Sequence, residues 1–330
     1  MKIEKTEESV ENVAAETAAV APAIAKRKAG GSMSKARKRE ALFYTAFIVF
    51  PIAQFVIFYA YVNFDSFLLA FQSYNEATVS YDWAGWKNFS NIFVDLSMEG
   101  GLMRKGYLTA ILIWLLNLCL APLELLVPFY IYKKMPGSGL FKVLLYMPSI
   151  LSAMVLGLLY QYIVNQVIPG IARDNWGVTV SPLLQSVETR FWAAWFFAAF
   201  MKLGSGILLY TSEMSRIPES LVEYGQLEGC TALKEFWYVT LPLIFPLYSV
   251  FLIATVKNIF VDQFHLYTFF GKGSEDVTTI GYYKFSLIVD RDPTNFPIAS
   301  ALGLFSSLII LGPTLFARWL TNKLDTKAQF

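Results

Sequence analysis

The amino-acid sequence predicts an all-α membrane protein of six transmembrane helices, with a short charged helix in one connecting loop. Three observations predict this class. The 330 residues are 55% hydrophobic and only 16% charged, where a soluble domain carries about a quarter charged residues. The apolar residues fall in runs of about twenty, the length that crosses a ~30 Å hydrocarbon core. A transmembrane β-barrel would show alternating segments of about ten residues instead.

The elements follow in order. Residues 1–40 are rich in Ala, Glu, Lys and Ser without an apolar run, and read as a disordered tail that turns basic at its end. The apolar runs are 42–62, 108–132, 141–164, 191–211, 241–261 and 298–317, within a domain of 41–325, and 326–330 form a C-terminal tail. Prolines inside runs one, two, three, five and six predict kinked helices, tolerated where neighbouring groups satisfy the freed carbonyls. Gly204, Ser205 and Gly206 in run four predict a close helix approach.

Orientation is read from the basic residues of short loops. Lys26, Arg27, Lys28, Lys35, Arg37, Lys38 and Arg39 precede run one; Lys133, Lys134 and Lys142 separate runs two and three; Arg318, Lys323 and Lys327 follow run six. The opposite side has fewer basic residues over longer loops. Both termini are expected in the cytoplasm. The basic end of the tail reads as a topology signal and lipid headgroup anchor, so no nucleic-acid partner is expected.

Several chemistries find no support. Cys119 lies inside run two and Cys230 in a cytoplasmic loop, where a disulfide is not expected. The single histidine, His265, has no neighbouring ligand, so no metal is expected. The string GKGS at 271–274 lacks the glycine that a phosphate-binding loop needs, because Leu266 stands there. No catalytic triad or paired-carboxylate motif is present, so no enzyme activity is expected. A membrane-embedded glycosyltransferase would need a carboxylate cluster at one face. A proton-coupled carrier would need buried carboxylates, and only Glu124 qualifies.

The loop after run four is anomalous. From 211 to 240 it carries Glu213, Glu219, Glu223, Glu228 and Glu235 against Arg216 and Lys234, on the side where every other segment is basic. Pro218 suits the start of a helix. Leu221, Tyr224 and Leu227 make an apolar stripe, Gly225, Gly229 and Ala232 a small one, and Gly229 permits a break. A helix, a turn and a re-entering helix are expected over 215–240, with Leu241-Pro242 opening run five. Anionic headgroups disfavour five glutamates, so the loop reads as a docking element for a soluble partner.

This stretch resembles the cytoplasmic "EAA" loop of ABC importer permeases. Glu223 holds the Glu position, Gly229 the glycine and Leu241-Pro242 the closing pair; Tyr224-Gly225 replaces two alanines, and Glu228 stands where Asp is usual. IPESL at 217–221, WAGWKNF at 83–89, the segment 264–285 and ASALGLF at 299–305 resemble the carbohydrate-uptake group, first-type permease. The resemblance implies the type I ABC importer permease fold, with the cytoplasmic loop 215–240 holding a coupling helix. It implies a second permease, an ATPase dimer that holds ATP and Mg, an extracytoplasmic solute-binding protein, and a sugar or oligosaccharide as solute. Glycerol phosphate or another polyol is the alternative. It also implies a bacterial cytoplasmic membrane, with no cofactor in this chain.

The pathway is sought among intramembrane charges, which are functional candidates by default. Glu124 in run two and Lys202 in run four lie roughly 12 and 14 Å from the inner ends of their runs at 1.5 Å per residue, a depth that allows an ion pair. Tyr160 and Trp195 are candidate stacking faces for a sugar ring, although interfacial aromatic belts account for such residues equally well.

Overall fold

The computed structural model describes residues 35–272, 274 and 276–328. The expected tail therefore lies outside the described residues up to 34, as do residues 329 and 330. Residues 35–40 are already helical, the start of helix Lys35–Gln54, because KARKREAL is composed of good helix formers. The last helix, Asn295–Ala328, likewise runs past 326 into the expected C-terminal tail.

Six helices among the described residues are long and apolar enough to cross a membrane: Leu42–Leu69, Leu102–Tyr132, Ala153–Trp176, Arg190–Met214, Ala232–Lys257 and Asn295–Leu324. They are called spans one to six below. The chain divides into two compact units, 1–65 and 66–330. In the first, helix Lys35–Gln54 passes through a π-helical stretch, Phe55–Tyr61, just beyond Pro51.

In the second unit a two-stranded antiparallel hairpin, β1 (Gln72–Asn75) and β2 (Ser80–Trp83), precedes an amphipathic helix, Lys87–Ser97. Span four packs against Ala121–Tyr132 of span two and against helix Ser138–Ile150; span five packs along the last helix. Gly204 explains one of these approaches, since a Cβ there would collide with the carbonyl oxygen of Leu145. The close approach expected of the small residues in run four is thus made at Gly204.

The prolines act in different ways. In span two the helix is interrupted at Leu120, just before Pro122. Pro169 and Pro242 each follow a π-helical turn, Ile163–Val167 and Phe236–Thr240, in which the Ile168 and Leu241 N–H groups reach back five residues. The widened turn makes room for a ring that would otherwise strike the carbonyl four residues earlier. Pro313 leaves helix Asn295–Ala328 continuous.

Two expected boundaries need correction. Run 141–164 is not one helix. Pro148 lacks the N–H that would bond Leu144, the helix ends at Ile150, and Leu151 and Ser152 are extended. Span three is shifted to Ala153–Trp176 and includes the polar stretch around Asn165 and Gln166. Span five begins at Ala232, so Leu241-Pro242 lies inside the helix and does not open it.

Three apolar clusters hold the second unit together. One joins Tyr107, Ala110, Phe260, Ile280 and Leu302; a second joins Val164, Phe197, Leu266 and Phe269. The third, at the opposite end of the spans, joins Leu125, Phe129, Tyr210, Met214, Phe236 and Ile244. Along span two the buried members of the first cluster stop at Ala110, with Trp114 packed against them, and the third starts at Leu125. Along span four those of the second stop at Phe197, with Met201 packed against them, and the third starts at Tyr210. The polar residues of the spans occupy that gap.

Candidate functional site

Two places in the second unit concentrate charge: the loop between spans four and five, and the gap between the apolar clusters.

The loop folds as a helix, Glu219–Leu227, capped at its start by Pro218 in extended backbone. Its end is a Schellman turn. Gly229 is left-handed at φ 77, its N–H donates to the Gln226 carbonyl at 3.0 Å, and the Cys230 N–H donates to the Gly225 carbonyl at 2.9 Å. Only a residue without a Cβ takes that conformation at no steric cost. The expected sequence of helix, turn and re-entering helix is what the loop shows. A methyl at Gly225 would meet Cys230 Cβ at 3.9 Å, an ordinary contact, so an alanine would fit there.

The expected apolar stripe faces outward. Leu221 and Tyr224 are exposed and Leu227 is 83% exposed, while Val222 is the residue that buries. Leu233, Trp237 and Tyr238 extend this bare apolar surface along the start of span five. Glu219, Glu223 and Glu228 are exposed beside it and make no ion pair with a described residue. Glu213 pairs with Arg216 at 3.0 Å. Glu235 is not a surface charge at all. It is 2% exposed, and both carboxylate oxygens accept from Lys133 Nζ at 2.8 Å.

That pair spans 102 residues of sequence and ties the end of span two to the first turn of span five. Lys133 caps a helix C-terminus, Glu235 lies in a first turn, and each sign suits its helix dipole. Phe236 buries against Phe129 beneath it, with ring centroids 5.1 Å apart. The loop helix is thereby followed by a fixed connection into the bundle.

The second place is a cavity of about 430 Å³. Trp114 and Asn117 line it from span two, Lys202 and Ser205 from span four, and Thr255 from span five. Asn258, Asp262 and His265 border its far end. It continues into a narrower space walled by Glu124, Tyr210 and Tyr248. Lys202 Nζ lies 2.8 Å from Glu124 Oε1, with both side chains mostly buried. The ion pair that their depths allow is thus made. Asn117 is 6% exposed and its Oδ1 has no hydrogen-bond partner among the described residues. Burial lowers the pKa of His265 below its usual range, with Asp262 opposing, so the ring is neutral at pH 7.

Tyr160 and Trp195 do not line this cavity. The Tyr160 hydroxyl donates to the Ala193 carbonyl at 2.8 Å and its ring packs on Phe197 and Phe269. Trp195 stands edge-on to Trp192, with its indole N–H buried and unpartnered. Their aromatic character gave no information on direction. Trp114 and Asn117 were missed, although Asn117 is the one uncharged amide inside run two and so carried a readable signal. Among the described residues no group of three or more His, Cys, Asp or Glu is placed to hold a metal.

A bundle of apolar spans around a mostly apolar cavity that holds a buried ion pair, with a charged helix exposed at one end, defines a multi-pass membrane transport protein. Residues 131–326 match the model of the family described as binding-protein-dependent transport system inner membrane component, and the chain belongs to that family. It is 22% identical over 269 residues to the multiple sugar-binding transport system permease protein MsmF of Streptococcus mutans, covering 81% of this chain and 90% of that one. It is 22% identical over 310 residues to the arabinooligosaccharides transport system permease protein AraP of Bacillus subtilis, covering 90% and 93%. It is 25% identical over 210 residues to the sn-glycerol-3-phosphate transport system permease protein UgpA of Agrobacterium fabrum, covering 62% and 70%. Its fold superposes with TM-score 0.71 and 20% identity on a chain of a bacterial ABC transporter that imports the acidic polysaccharide alginate, covering 88% of this chain and 98% of that one.

Proposed function

We propose that this chain is one of two permease subunits of an ABC importer for a sugar or oligosaccharide. It lies in the bacterial cytoplasmic membrane with both termini cytoplasmic. An extracytoplasmic binding protein delivers the solute, and a partner ATPase dimer holding ATP and Mg drives transport. The observation that carries this reading is the exposed helix Glu219–Leu227. The helix and its C-cap present Glu219, Glu223 and Glu228 without an ion pair to any described residue, next to the bare Leu221, Tyr224 and Leu227. A soluble subunit with a basic, partly apolar cleft is the complement to such a face.

In this reading the helix is the coupling helix. Glu223 makes the main charged contact, Glu228 a second, Tyr224 fills an apolar pocket and Gly225 allows close approach. Gly229 sets the turn, and Leu241-Pro242, with the π-helical turn before it, shapes the re-entering helix. ATP-driven closure of the ATPases moves the loop, and the Lys133–Glu235 pair passes that motion to spans two and five. The cavity containing Glu124 and Lys202 is the stretch of pathway this chain supplies. UgpA-like relatives favour glycerol phosphate as the second reading for the solute.

The test is co-purification of the tagged chain in nanodiscs. The expected outcome is a complex whose ATP hydrolysis rises when the binding protein is added and falls to its basal level in Gly229→Asp, with membrane insertion unchanged. A chain that purifies without an ATPase would contradict the reading, as would Gly229→Asp hydrolysis that still responds fully.

A further inference from the structure

We infer that the wall this chain gives to the pathway selects for an uncharged, hydroxyl-rich solute over an anionic one, and that Glu124 is the residue that sets this selectivity. The inference rests on the transport reading above. The fold alone does not fix the charge of the solute, so the side chains of the cavity must do so.

A pathway for phosphate or carboxylate solutes needs a cation that is free to pair with them, because an anion that leaves water without one meets a large desolvation cost. Among the described residues Lys202 is the one lysine or arginine lining this cavity. Its ammonium lies 2.8 Å from Glu124 Oε1, an ion pair by distance without hydrogen-bond geometry, and at that separation the pair presents a short dipole in place of a net charge. Tyr210 and Tyr248 line the narrower space beside Glu124, and Lys202 is the cation paired with its carboxylate among the described residues. At the other end of the cavity Asp262 is exposed and its Oδ1 accepts from the Phe264 N–H at 2.8 Å. His265, beside it, is neutral. From end to end the lining is therefore neutral to negative.

What remains unused in the wall is suited to hydroxyl groups. Asn117 is more than nine-tenths buried, yet its Oδ1 has no partner. A buried acceptor without a donor costs free energy until a ligand or water supplies one. The Trp114 ring borders the same space and gives the apolar face that orients a ligand between a few polar groups. Acceptors, an aromatic face and a silenced lysine accommodate a sugar or polyol and repel a phosphate or uronate.

The experiment reads the charge of the cavity directly. Thr255, which lines both parts of the cavity, becomes the reporter as Thr255→Cys in a chain carrying Cys119→Ser and Cys230→Ser, within the purified complex in nanodiscs. Its reaction rates with a cationic and an anionic methanethiosulfonate reagent, MTSET and MTSES, are each divided by the rate with 2-mercaptoethanol. The expected ratio favours the cationic reagent by about threefold or more, and Glu124→Gln shifts it about tenfold toward the anionic one, as removal of a nearby unit charge in a partly dry site requires. Lys202→Met is expected to shift it the other way, which keeps the test decisive should Glu124→Gln fail to fold. Preference for the anionic reagent in the Glu124 chain would overturn the inference. A ratio indifferent to both substitutions would do the same, as would no modification by either reagent. The ligand of the binding protein that stimulates the complex, read by native mass spectrometry, is expected to be uncharged. A phosphate or uronate there would overturn this inference while leaving the transport reading intact, whereas a complex that no binding protein stimulates would overturn the transport reading instead.

Discussion

Glu223 and Glu235 lie twelve residues apart on the same loop of the sequence, and the structure treats them oppositely. Glu223 is exposed and unpaired; Glu235 is buried and held by Lys133 through two 2.8 Å hydrogen bonds. Glu124, deep in the bundle, resembles Glu235 in having its cation within the chain. In a chain this apolar a charge is retained either because its partner is internal, in which case it fixes two spans together, or because its partner is another molecule. In the proposed function the exposed acids of the loop after span four are of the second kind.

Breaking an internal pair should have the largest effect. Lys133→Met leaves Glu235 buried without its cation, and removing one partner of a buried pair costs roughly 3–5 kcal/mol. Thermal unfolding in detergent should show a large drop in midpoint, and the double variant Lys133→Met with Glu235→Leu should recover most of it. If the single and double variants melt alike, the pair is not what joins these spans. Gly204→Ala comes next. The added methyl meets the Leu145 carbonyl, and overpacking of this kind costs about 1–3 kcal/mol; an unchanged midpoint would mean that helix Ser138–Ile150 yields freely. The smallest effect should come from the exposed helix, and with the opposite sign. Gly225→Ala fits beside Cys230 and replaces a helix glycine, worth about 0.5–1 kcal/mol of added stability. A lower midpoint for this variant would show that the Schellman turn is tighter than the contact distances imply.

The same division explains what was readable in the sequence. Spans one, two, four and six follow from the length of their apolar runs, because burial in lipid demands a continuous apolar helix whatever its neighbours. A Glu124–Lys202 pair was allowed by depth, since two opposite charges at matching levels of a bundle have few other partners, but which spans pack together was not readable. Span three was not legible: residues 141–164 look uniformly apolar, but Pro148 interrupts them, and the helix that replaces them carries Asn165 and Gln166. The Lys133–Glu235 pair was hidden because each residue already had an explanation, Lys133 as a topology signal and Glu235 as docking charge. Only their packing over Phe129 and Phe236 brings them together. Aromatic residues were the least legible, as Tyr160 and Trp195 show, because hydropathy does not tell which side of a helix faces a cavity.

The central claim is that the exposed acids of helix Glu219–Leu227 serve a partner and contribute little to the fold of this chain. Its most direct test is the triple charge reversal Glu219→Lys, Glu223→Lys and Glu228→Lys, measured by solute uptake and thermal midpoint in the reconstituted complex. Exposed, unpaired charges contribute at most about 1 kcal/mol to folding, so the midpoint should hold. Uptake should fall more than about tenfold, as loss of charge complementarity across an interface predicts. Uptake at the wild-type rate with an unchanged midpoint would contradict the account.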